Sequence, residues 1–262
     1  MNKNRIWVIV LATILLGLFV APVSVQAVDI LPGGNPFQLE LGIGVSDDPE
    51  SVVTTLQVLF LISIIALAPS LLILLTGFTR IIIMLAFTRQ AMATQQMPPN
   101  QVLVGIALFL TIFIMAPVFT EINQNALVPF GAGELSTEEF IAEAMIPLRA
   151  FMFRQMETDT GARSLELFMN LTDNVMYEPE DVPMYVLIPA FLVNELAFGF
   201  MMGFLIYLPF IVIDMVVASV LMSMGMMMLP PAMISLPFKL MVFILSGGWR
   251  IVIESIMVTF RM

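Results

Sequence analysis

The 262-residue chain contains no cysteine and no histidine, and only 11% of its residues are charged. Without thiols there is no disulfide framework and no thiolate nucleophile. Without imidazole there is no Ser-His or Cys-His relay and no zinc site built on the usual nitrogen and sulfur ligands. Serine or metal-dependent intramembrane proteolysis is therefore disfavoured, and no metal or other cofactor is implied. Two facing aspartates could still do acid–base work, but only Asp214 lies inside a long apolar run, and a lone carboxylate is no dyad. Basic residues are also scarce, 10 Lys and Arg against 20 Asp and Glu, for a net charge of -10. No basic patch exists to neutralise phosphates, which disfavours a nucleic-acid partner.

What the chain does have is apolar length. Hydrophobic residues make up 60% of it, and a mean hydropathy of +1.00 places it in a membrane. Acidic charge gathers between Glu134 and Asp181, opposed there only by Arg149, Arg154 and Arg163.

In chain order, Lys3 and Arg5 precede an apolar run from Ile6 to Val20, and Val25-Gln26-Ala27 has the small-x-small character of a cleavage site. Residues 1–27 read as a signal peptide, because the run is short of the ~20 residues that a span needs. Residues 28–51, with Pro32-Gly33-Gly34 and Asp47-Asp48-Pro49, read as an extended periplasmic leader. Residues 52–120 read as a first helical hairpin, with a kink candidate at Pro69 and a turn closing at Pro98-Pro99-Asn100. Arg80 and Arg89 mark its cytoplasmic side. Residues 121–183 read as a small acidic periplasmic helical insert, with a helix starting at Ser136-Thr137-Glu138-Glu139.

Residues 184–262 read as a second, broken hairpin. Met184 to Leu229 has only Glu195 and Asp214 charged and is too long for one simple span, so Pro189 and Pro209 are expected to break it. A further run from Ile234 to Phe260 is interrupted by Pro237, Lys239, Gly247-Gly248 and Arg250. Between these runs lie Met222, Met224, Met226, Met227 and Met228, around Gly225 and ahead of Pro230-Pro231. Thioether chains are unbranched and polarizable, so such a cluster suits a deformable seal, or equally pads a helix packing surface. Gly225 supplies a hinge and the double proline a stop.

Several stretches coincide with one family. They include Phe78-Thr79-Arg80-Ile81-Ile82-Ile83, Pro98-Pro99-Asn100-Gln101, Phe113-Ile114-Met115-Ala116-Pro117 and Pro147-Leu148-Arg149, then Ile188-Pro189-Ala190, Gly225-Met226-Met227-Met228-Leu229-Pro230-Pro231 and Leu236-Pro237-Phe238-Lys239. In their order and spacing the chain resembles the flagellar type III export-gate family of FliP and its injectisome counterparts, from about Leu56 to Trp249. One departure is Met92-Ala93, where the family tends to carry Leu-Gly.

The resemblance implies an all-α membrane-associated protein whose broken hairpins assemble into a helical ring of about five subunits. FliR would complete the ring, FliQ surround it, and FlhA and FlhB act with it at the flagellar basal body in the bacterial inner membrane. Much of the assembly would lie on the periplasmic side. It would form the pore for unfolded export substrates, with the methionine run facing the pore as a gasket. In such an oligomer Glu195 or Asp214 of one subunit can pair with Lys239 or Arg149 of the next. The rival reading makes Glu195, Asp214 and Lys239 an intramembrane ion path of a secondary transporter or channel.

Overall fold

A helix begins at Phe78 because the chain from there presents an apolar face at helical spacing. This is α1 (Phe78–Ala91), which buries Ile81, Met84, Leu85 and Thr88 along one side. A computed structural model describes residues 73–94, 96–172, 181–226 and 229–260, with 59, 60, 62, 63, 66, 67 and 70 before them. The signal peptide and leader expected over residues 1–51, and the start of the first hairpin, lie outside the described residues. The chain divides at residues 71 and 72. Those described before the division are helical, with the Ser63 hydroxyl donating to the Leu59 carbonyl. The helices from α1 onward belong to the second unit, Leu72–Met262.

After α1 the chain turns through Met92–Pro99 into α2 (Asn100–Ile122). The two helices pack against each other across this turn, whereas the first arm of the hairpin expected over residues 52–120 lies in part outside the described residues. Thr94 Oγ1 donates to the Met97 carbonyl at 2.6 Å, and Arg89 reaches the Pro98 carbonyl, so the turn is closed by side chains. Ala93 occupies the left-handed region at φ 57°, the conformation for which glycine is suited. A π-helical turn (Asn123–Leu127) and a short α3 (Val128–Gly131) extend α2. Together Asn100–Gly131 is long and apolar enough to cross a membrane.

The acidic region folds as α4 (Thr137–Gln155) and α5 (Asp159–Asn170). Ser136 caps α4 by accepting from the Glu139 N–H, while the Glu139 carboxylate accepts from the Ser136 N–H at 2.8 Å, a reciprocal capping box. Glu139 is held below the usual glutamate range, first by that backbone hydrogen bond. The two helices are not a module apart. Phe151 and Met152 of α4 enter a core with Met115 of α2 and with Leu187 and Phe191 of the following helix.

That helix, α6 (Met184–Ser223), runs 40 residues without a break, with Pro189 and Pro209 inside it. The expected breaks do not occur. A proline removes one backbone donor and crowds the preceding turn, but Leu187, Ala190 and Phe191 are fully buried around the first, and Phe210 is buried beside the second. Tertiary packing outweighs the local penalty. At 1.5 Å per residue α6 is about 60 Å long, twice a ~30 Å hydrocarbon core. Its first half lines the core just described, and its second half joins another with α1, the start of α2, α7 (Pro231–Leu245) and α8 (Gly248–Val258). The real break in the C-terminal region is a 67° bend between α7 and α8 at Gly247. Counting that bent pair as one span, up to three segments have the length and apolarity to cross a membrane, and no strand occurs among the described residues.

Candidate functional site

The methionine run sits in the connection between α6 and α7. At the end of α6 the Gly225 N–H donates to the Met222 carbonyl at 3.1 Å, and the Met226 N–H to the Leu221 carbonyl at 3.0 Å. With Gly225 at φ 75°, these two bonds form a Schellman cap. Gly225 is thus the left-handed terminator of α6, where the sequence had suggested a hinge. Pro230 precedes α7, and Pro231 is its first residue, the position at which a missing N–H costs least. The double proline starts a helix as much as it stops a loop. Met222, Met224 and Met226 are 58%, 67% and 41% exposed. Met227 and Met228 lie outside the described residues. The turn therefore offers an uncharged, polarizable tip on a capped helix end.

Behind that tip a polar tie joins α6 to α7. Lys239 Nζ donates to Asp214 Oδ2 at 2.5 Å, and Ser235 Oγ to Asp214 Oδ1 at 2.6 Å. Ser235 and Lys239 are four residues apart, one helical turn on the same face, so both reach one carboxylate. Lys239 is buried, whereas Asp214 keeps 35% of its side chain exposed. Holding these helices together fixes both ends of the methionine turn.

A second, fully buried tie joins α1 to α6. Arg80 pairs with Glu195 through Nε and Nη2, and its Nη1 donates to the Thr259 carbonyl at 2.9 Å. The guanidinium lies 4.4 Å from the ring centroids of both Phe198 and Phe260. Five donors in a planar fork, faced by two rings, are an arrangement lysine cannot reproduce. The pair closes because α1 and α6 approach tightly. A Cβ on Gly203 would fall 2.7 Å from the Phe87 ring, and one on Gly199 would fall 3.3 Å from the Arg80 Cα.

The pairing of Asp214 with Lys239 was among those expected, and it forms within one chain; Glu195 meets Arg80, which was not among its expected partners. Arg80, read as a marker of the cytoplasmic side, is buried, with its charge met by Glu195. Arg149 lies on α4, 5.8 Å from the Phe153 ring centroid. Sequence reasoning missed Arg80 and Ser235 as site residues, and also the Gly199 to Gly203 contact. The glycine spacing of four inside an apolar helix was its available signal. Arg80 had none, since its partner is 115 positions away.

The model of the FliP family matches residues 61–256. The chain is 50% identical over 218 residues to the flagellar biosynthetic protein FliP of Bacillus subtilis, an alignment covering 82% of this chain and 96% of that one. It is 50% identical over 212 residues to the protein of that name from Treponema pallidum, covering 80% and 77%. It is 41% identical over 230 residues to that of Aquifex aeolicus, covering 86% and 92%. With these matches over most of its length, and with span-length helices and no strand among the described residues, the chain belongs to the FliP family.

Proposed function

We propose that this protein is a core subunit of the flagellar type III export gate, and that its methionine turn seals the pore through which unfolded flagellar proteins cross the inner membrane. Copies of the chain form the pore with FliR and FliQ, beside FlhA and FlhB. The observation that carries the seal is the exposure of Met222, Met224 and Met226 at the capped end of α6, in a stretch that bears no charge. A pore wide enough for an unfolded chain leaks ions unless it is closed between substrates. A ring of apolar side chains from several copies excludes water by dewetting, and three rotatable bonds per methionine let it mould around a passing chain. The length of α6, about twice a bilayer core, supports an assembly that extends beyond the membrane.

The ion-path reading of Glu195, Asp214 and Lys239 loses its motive, since each is satisfied by a partner in its own chain and ties two helices together. The test is conductance. Replacing Met226, Met227 and Met228 by Ala in otherwise intact complexes widens the constriction and raises ion leakage, whereas Leu seals but passes substrates less readily. Unchanged conductance with triple Ala, in complexes verified as assembled, means that these side chains only pack.

A further inference from the structure

We propose that Met222, Met224 and Met226 are a modification site, oxidised to sulfoxides by hydroperoxides, and that this oxidation opens the seal. The inference rests on the seal reading above and adds a chemical input to it. The chain has no cysteine, so no thiol competes for a peroxide, and thioether sulfur is its most readily oxidised group. Exposure then sorts the methionines. Met84, Met115 and Met152 are fully buried, whereas Met97, Met201, Met215, Met233 and Met241 are exposed along with Met222, Met224 and Met226; what distinguishes the last three is that they cluster within 5 residues of chain, at the turn assigned to the seal.

The step balances without help from the protein. A sulfur lone pair attacks the distal oxygen of the hydroperoxide, and the O–O bond breaks as the S–O bond forms. Sulfur loses two electrons, and the peroxide leaves as water or an alcohol after a proton shift. A thiol-dependent reductase reverses the change. The product is a polar, strongly accepting side chain that has to be hydrated. A ring of sulfoxides at a constriction closed by dewetting therefore wets it.

The local fold survives the reaction. The turn is held by the Gly225 and Met226 N–H groups on the Met222 and Leu221 carbonyls, and by the Asp214–Lys239 tie behind it. None of these bonds involves a sulfur atom. Oxidation at Met84 or Met152 would instead put a sulfoxide into a closed core. The turn can thus change its surface chemistry while keeping its shape.

The experiment treats the intact complex, reconstituted in lipid vesicles, with hydrogen peroxide and follows two signals together: mass mapping of each methionine and release of a trapped ion. We expect Met222, Met224 and Met226 to oxidise about tenfold faster than Met84, Met115 and Met152, with leakage rising in step and falling again after reductase treatment. A triple Leu variant at the three positions should stay sealed under peroxide. Equal oxidation rates at turn and core, or equal leakage from the Leu variant, overturn the proposal. So does sulfoxide formation without leakage. If the triple Ala variant of Met226 to Met228 leaks in that last case, this inference alone has failed; if that variant does not leak either, the seal reading has failed with it.

Discussion

Arg80 on α1 and Glu195 on α6 lie 115 positions apart in the chain and close an ion pair that is 1% and 0% exposed. The pair does more than neutralise charge, since the same guanidinium caps the Thr259 carbonyl and is stacked between Phe198 and Phe260. Phe260 packs against both cores, so the C-terminal end of the described chain is bound to the α1–α6 contact.

Removing one partner leaves the other charged and buried. Glu195→Ala should lower stability by about 3–5 kcal/mol. The double variant Arg80→Met, Glu195→Leu should recover most of this, short by about 1 kcal/mol for the Thr259 carbonyl that loses its donor. Denaturant unfolding in detergent, followed by the fluorescence of Trp249, measures both. A double variant no better than the single one would refute the buried-charge account.

The Asp214–Lys239 tie should respond asymmetrically. Lys239 is buried, while Asp214 retains access to water and the Ser235 hydroxyl. Asp214→Ala strands an ammonium and should cost about 3 kcal/mol. Lys239→Met leaves a hydrated carboxylate and should cost about 1 kcal/mol. Equal losses in the two variants would show that burial does not set the difference.

Ala93 and Gly225 both have positive φ, and only one of them is glycine. Ala93→Gly relieves a left-handed alanine and should stabilise the hairpin turn by about 1 kcal/mol, while Gly225→Ala should cost about as much at the end of α6. Thermal melts of the two variants should therefore shift in opposite directions. The Gly225 variant also reports on the seal, because a weakened cap lets the methionine turn move.

The capping box at the start of α4 is sensitive to acid. Glu139 is ionised more readily in the folded protein, because its carboxylate accepts from the Ser136 N–H. Its contribution is fully present above the ordinary glutamate range and is lost as pH falls through its lowered folded value. Amide exchange at Ser136 should accelerate across that acid interval and not at neutral pH. Glu139→Ala should make it fast at every pH.

Local features of this protein were legible from the sequence because they depend on neighbours a few residues away. Ser136 and Glu139 announce a capping box by their spacing, and Pro98-Pro99-Asn100 closes the turn that leads into α2. Length and apolarity likewise identified segments able to span a membrane. Tertiary structure alone decided the rest. Pro189 and Pro209 were expected to break α6, but the penalty of each is local, and it is overridden by side chains from α1, α2 and α4 that bury the helix around them. The partners of Glu195 and Asp214 depended on which helices meet. Lys239, Arg149 and Arg80 are equal candidates on charge, and it is the close approach of α1 to α6 at Gly199 and Gly203 that delivers Arg80 to Glu195 and leaves Lys239 for Asp214.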